Sequence, residues 1–166
     1  MGKELVAPGA ACLTCAVTEH HASSLDAPYE FSADPARLDR GRVHDLLVSH
    51  AYWAAGRSRA LQDAAIDASR NYGVYLASSE RQVAYARVVT DGVTFGWLAD
   101  VVVEPEHRGR GLGRLLVSGI LADLAPLGLK RVLLKASPEG RALYAALGWT
   151  SVDDPADWME LRASQR

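Results

Sequence analysis

Residues 107–116 read HRGRGLGRLL, and the run before them, 97–103, reads WLADVVV. In the first, glycines at 109, 111 and 113 interleave with arginines at 108, 110 and 114. The second belongs to an apolar strand, TFGWLADVVV (94–103), which Pro105 stops by removing a ladder donor. Past the loop, Leu112, Leu116 and Ile120 fall on one line and Val117, Leu121 and Leu124 on the next, the i, i+3, i+4 spacing of a helix over 111–124. Strand, glycine-rich turn and helix in direct succession read either as an anion site or as a solvated basic turn that binds nothing. Glycines let successive N–H groups curl inward as a nest. The helix begins there with unpaired N–H groups and its positive dipole end.

Outward from this centre, the period of the apolar residues sets the class. Tyr29–Ser32 reads as a first strand, and Asp34-Pro35 and Asp39 punctuate the approach to a helix. Residues 40–54 carry apolar side chains at 43, 46, 47, 51 and 54, which is helical, and Gly56 ends the run. Residues 58–69 read as a second helix with Ser58 as its cap. The period then drops to two. NYGVYLASS (71–79) and RQVAYARVVT (81–90) form a hairpin around Ser79-Glu80, and Asp91-Gly92 turns into 94–103. After the helix, Pro126 and Gly128 lead to RVLLKA (131–136), whose apolar centre predicts a parallel strand covered on both faces. A short helix lies within 138–149, closed by Gly148, and DWMEL (157–161) reads as a last strand. Residues 1–27 form an N-terminal extension ahead of a single domain, 28–166.

The chain has 166 residues, enough for one core, with a net charge of −2. That balance argues against a general nucleic-acid partner, which needs a broad basic surface. No apolar run approaches the ~20 residues of a membrane span. The start, MGKELVAPGAACLTCAV, faintly resembles an export signal, but Glu4 and Pro8-Gly9 interrupt the pattern, leaving the cytoplasm as the default. Cys12 and Cys15 stand as C-x-x-C with only His20 and His21 close by. Zinc or redox use and two free thiols both fit, and no metal is assigned.

Which anion the loop holds is narrowed by exclusion. No G-x-x-x-x-G-K-[ST] string occurs. The glycines run G-x-G-x-G after an antiparallel meander, unlike the dinucleotide fingerprint in the first turn of a parallel fold. RGRGLG (108–113), following DVVV (100–103) and Glu104-Pro105, resembles the Arg/Gln-x-x-Gly-x-Gly/Ala motif of the GNAT superfamily, the acetyl-CoA-dependent N-acetyltransferases. LYAALGW (143–149) is similar to that family's LY-x-x-x-GF/W segment. The likeness spans about residues 29–161.

The resemblance implies an α/β (α+β) fold: a central mixed, mostly antiparallel sheet flanked by helices, with two strands splayed into a wedge for CoA. It implies acetyl-CoA as co-substrate and an amine, on a small molecule, as acceptor, with direct transfer in a ternary complex. Cofactor contacts fall on Val101, Val102 and Val103 of the splayed strand and on the loop, Arg108, Gly109, Arg110, Gly111, Leu112, Gly113 and Arg114. A backbone N–H near Val101 or Val102 is expected to receive the thioester carbonyl. Ser137 stands where many relatives have Asn, and its hydroxyl has shorter reach. Tyr144 matches the tyrosine that serves as general acid, an aromatic that would otherwise simply pack. Some relatives use glutamate as base on the strand of 97–103. Here Asp100 is the only carboxylate, after Ala99, and it fits either a base acting through water or an arginine's partner. Asp91 and Glu104 read as solvated strand ends, and His107 as a surface histidine. Tyr52, Trp53 and Trp97 are candidates for an aromatic acceptor pocket suited to a cationic amine, with Trp53 equally placed for the core. Many relatives form dimers, which makes a homodimer one expected state. The alternative to an enzyme is a non-catalytic acyl-CoA-binding sensor or scaffold.

Overall fold

The computed structural model describes residues 28–162. The N-terminal extension, Cys12 and Cys15 therefore lie outside the described residues. The chain runs β1 (Tyr29–Ser32), α1 (Arg40–His50), α2 (Arg59–Asp67), β2 (Arg70–Leu76), β3 (Gln82–Thr90), β4 (Phe95–Val103), α3 (Leu112–Leu124), β5 (Arg131–Leu134) and α4 (Arg141–Ala145). The five strands form one sheet in sequence order, antiparallel except for the parallel pair β4–β5.

Local chemistry sets the element ends. Asp39 caps α1 by accepting from the Arg42 N–H, and Ser58 caps α2 by accepting from the Leu61 N–H. Asp91 accepts from the N–H groups of Val93, Thr94 and Phe95 and so builds the β3–β4 turn. The sheet has a core on each face. One gathers Val74, Ala84, Val88 and Leu98 under Leu112, Leu116, Val117 and Ile120 of α3. The other gathers Tyr85 and Val102 under Val43, Leu46, Leu47 and Ile66 of α1 and α2. Helix α3 sits low on β1 because Gly119 has no side chain. A Cβ there would come within 2.6 Å of the Phe31 ring.

Three expectations are corrected. The helix foreseen over 40–54 stops at His50, where Ala51 turns extended, and Tyr52–Ala54 form a 3-10 turn that still buries Ala51 and Ala54. Strand β5 is not covered on both faces. It is the sheet edge, with Arg131 exposed and Val132, Leu133 and Leu134 half-buried, along an open cavity of about 780 Å³. DWMEL forms no strand. Asp154, at φ +49, and Pro155 start a 3-10 turn, and the Trp158 indole donates back to the Asp153 carbonyl at 3.2 Å. That folds the segment onto its own turn, and Met159 and Leu161 stay 95% and 99% exposed.

Candidate active site

The β4–β5 ladder covers only Phe95–Leu98 against Arg131–Leu134. Beyond Leu98, β4 continues alone on that side while it stays paired to β3 on the other. The register slips between Tyr85 and Arg87, and Asp100, at φ +55, takes up the extra residue as a bulge. Successive N–H groups of a strand point to opposite edges. The Glu104 N–H bonds to the Val83 carbonyl, at 2.9 Å. The N–H of Val102 therefore faces β3 and that of Val103 the open edge, while the bulge at Asp100 interrupts the alternation ahead of Val101. Arg108 Nε donates to the Val103 carbonyl on that edge at 3.0 Å.

The wedge ends at the glycine–arginine loop. Gly109 and Gly111 have φ of +73 and +81, the left-handed region that curls a backbone into a nest. Gly111 caps α3 without a side-chain bond. The N–H groups of Arg110, Gly111, Leu112 and Gly113 have no acceptor among the described residues. Orphan donors at a helix start, beside exposed Arg108, Arg110 and Arg114, are the arrangement that can receive an anion. Leu143 of α4 packs against Gly113, where a Cβ would stand 3.0 Å from its Cδ2.

Tyr144, the next residue, turns elsewhere. It lines the cavity beside β5 with Leu134, Ala136 and Trp149, and meets Trp149 edge-on at 6.1 Å. That cavity includes no residue of the loop or of 100–103. Burial raises the Tyr144 phenol above its ordinary value. Ser137 is committed locally: its Oγ accepts from the Gly140 N–H at 3.2 Å in the turn leading to α4.

Asp100 is 7% exposed and surrounded by donors. Arg57 reaches it twice, at 2.8 and 3.2 Å, Arg87 Nε at 2.6 Å, and the Trp53 indole N–H at 3.2 Å. Burial pushes its carboxyl up, but the hydrogen bonds and charges of Arg57 and Arg87 outweigh that and hold it below the usual carboxylate range. Trp53 is 45% exposed, so it is not core, and Tyr52, 79% exposed, stands edge-on to it at 5.0 Å. Trp97 pairs with Val89, which shares a sheet face with Arg87. The three aromatics thus lie on the α1–α2 side of the sheet.

Sequence reading missed Arg57 and Arg87. Arg87 left a signal, a charge two residues after Tyr85 on the same strand face. Glu104 is not solvated: it is 6% exposed and bonded to Arg42 and Arg81. His107 is not a free surface group either, since it hydrogen-bonds Tyr29 at 2.9 Å. Among the described residues no cluster of His, Cys, Asp or Glu is placed to hold a metal, and no helix is long and apolar enough to cross a membrane.

Comparison with known proteins agrees with this geometry. The family model of the acetyltransferase (GNAT) domain matches residues 70–151. A crystal structure of a protein belonging to the GNAT family, from Xanthomonas campestris pv. campestris, shares 38% identity and a TM-score of 0.74, over 81% of this chain and 93% of that one. Serotonin N-acetyltransferase 2, chloroplastic, of Oryza sativa subsp. japonica is 37% identical over 90 residues, which are 54% of this chain and 45% of that protein. A Mycobacterium tuberculosis protein solved in complex with CoA shares the fold, at 17% identity and a TM-score of 0.63 over 75% of this chain and 73% of that one. The chain spans about half the length of the curated relatives it matches.

Proposed function

The chain belongs to the GNAT acetyltransferase family, and on that premise we propose that it transfers an acetyl group from acetyl-CoA to a primary amine on a small molecule. The observation that carries this reading is the run of orphan N–H groups at 110–113 beside the open edge of β4. The loop and the α3 N-terminus hold the pyrophosphate of CoA. The arm lies along 101–103, where free backbone groups receive it as an added strand would. Acetyl-CoA supplies the acyl group as a thioester. The Val101 N–H faces its carbonyl and stabilises the oxygen as negative charge builds there; loss of one such donor costs on the order of 10²–10³ in rate.

The LY segment assigns Tyr144 the proton for the leaving thiolate, a role that requires its phenol, protonated at neutral pH, to turn from the cavity beside β5 toward 101–103. Ser137 caps the turn ahead of α4 rather than holding the arm. Asp100 is a structural counter-ion. Its four donors occupy the positions a carboxylate offers, so the amine loses its proton to solvent. Tyr52, Trp53 and Trp97 line the acceptor side.

The engaged Asp100 also favours a second reading, an acyl-CoA sensor without catalysis. A thermal-shift titration with acetyl-CoA, and ADP as control, tests the binding shared by both. At ligand near 100 times Kd the stabilisation is about 2.7 kcal/mol, or roughly 5–11 °C for a chain of this size. Absence of any shift at millimolar acetyl-CoA refutes both. Release of free CoA that depends on an added amine selects the enzyme.

A further inference from the structure

The mechanism above uses Arg110 only as a charge near the phosphates, yet its guanidinium is tied into a chain of groups that runs into the protein. Arg110 Nη1 donates to the Tyr29 hydroxyl oxygen at 3.2 Å. Tyr29 is joined to His107 Nδ1 at 2.9 Å, and the two rings meet edge-on at 5.7 Å. His107 Nε2 lies 3.7 Å from Glu104 Oε2. That oxygen is buried and has no hydrogen-bond partner among the described residues, while Oε1 takes both Arg42 of α1 and Arg81 of the β2–β3 hairpin.

One set of donor directions uses every group. An arginine can only donate, so Tyr29 accepts from Arg110. The Tyr29 O–H then donates to His107 Nδ1. That puts the imidazole proton on Nε2, facing the unsatisfied Glu104 oxygen. The order Arg110, Tyr29, His107 is hydrogen-bonded in one direction, and its last N–H faces the Glu104 carboxylate as a charge at 3.7 Å. It connects the exposed loop to a carboxylate only 6% exposed, itself gripped by two other elements.

We propose that Tyr29 and His107 are positioning residues that brace the glycine–arginine loop in its anion-binding curl through the side chain of Arg110. The inference rests on the CoA reading of the loop. The loop's two left-handed glycines leave its backbone with wide freedom. A flexible nest must be ordered when the phosphate arrives, and that ordering subtracts from affinity. A side chain already tethered between Gly109 and Gly111 limits the loss. Tyr29 sits in β1, which α3 covers through Phe31 and Gly119, so the tether ends on the same face that carries the helix.

The test is a double-mutant cycle in the full chain, with Tyr29→Phe, Arg110→Ala and the pair, read by titration with CoA and with ADP. Loss of one hydrogen bond predicts about a fivefold weaker Kd for Tyr29→Phe. The same factor should appear for CoA and ADP, because both present a pyrophosphate. In the Arg110→Ala background Tyr29→Phe should have no further effect. In turnover the KM for acetyl-CoA should rise with kcat unchanged. His107→Ala should reproduce the Tyr29→Phe loss. The brace is overturned if Tyr29→Phe binds CoA as wild type does, if its effect multiplies with that of Arg110→Ala, or if only Tm falls. If wild type itself binds neither CoA nor ADP, the CoA reading fails and the brace falls with it.

Discussion

Replacing Asp100 by Asn separates a structural counter-ion from a catalytic base. The substitution keeps the shape, removes the charge, and places an NH₂ group among donors. Arg57 and Arg87 are then left without their anion, their side chains only 16% and 17% exposed. Breaking a buried ion pair on one side costs about 3–5 kcal/mol. Partial access of both guanidinium groups to water favours the lower end, about 3 kcal/mol. For a chain of this length that corresponds to a fall in Tm of roughly 6–12 °C. Circular dichroism melts at pH 7 measure it, and turnover at 15 °C, well below the variant's Tm, measures the chemistry. A structural Asp100 predicts the fall in Tm with kcat within a few-fold of wild type. The pH dependence gives a second readout. The folded carboxyl is held below its ordinary value, so its contribution is complete above the unfolded pKa of about 3.9 and drains away as pH falls through the folded one. The gap in Tm between wild type and Asp100→Asn should therefore narrow below pH 4. An unchanged Tm with kcat reduced 10²–10⁴-fold, the range of a lost general base, would refute the reasoning and restore Asp100 as the base.

Tyr144→Phe should lower kcat by roughly 10²–10⁴-fold and leave the Kd for acetyl-CoA within twofold. Because burial raises the phenol, the wild-type rate should show no falling limb from this acid below about pH 10. Gly111→Ala meets no neighbour within 4 Å, so its effect is conformational alone. A left-handed residue with a Cβ costs about 1–2 kcal/mol, which should surface as a lower Tm or a weaker acetyl-CoA Kd; melts and titrations that both match wild type would contradict it.

The sequence was legible where period and punctuation agree. The helix of 111–124, the hairpin at Ser79-Glu80 and the turn at Asp91-Gly92 each carry local signals, and each appears within a residue or two. DWMEL misled because an apolar run is a strand only when an edge receives it, and Asp154-Pro155 turns this one back before it can lie along β5. The left-handed curl at Gly109 and Gly111 was legible because backbone freedom is what glycine announces directly. The side-chain networks were not. Arg57 lies 43 residues from Asp100 in sequence, Arg42 lies 62 from Glu104, and Tyr29 lies 78 from His107. Nothing in a one-dimensional pattern says which of many arginines will meet a given carboxylate.

Those networks answer a mechanical difficulty of the site. A strand that offers its backbone to a ligand must give up a neighbour, and half-paired strands drift or find other partners. From Ala99 to Val103, β4 has lost β5. The two carboxylates that bracket this stretch, Asp100 and Glu104, are the only buried acids among the described residues. Each is gripped by two arginines, Asp100 by Arg57 and Arg87, Glu104 by Arg42 and Arg81. All four arginines come from elements other than β4: α1, the approach to α2, the β2–β3 turn and β3. Buried ion pairs seldom improve stability over an apolar core of equal volume. Their use here is directional: they fix the open segment from below and from its paired side, at both ends, and leave free the edge proposed to receive CoA. The bulge at Asp100 follows from the same demand. It turns the carboxylate down toward Arg57 and Arg87.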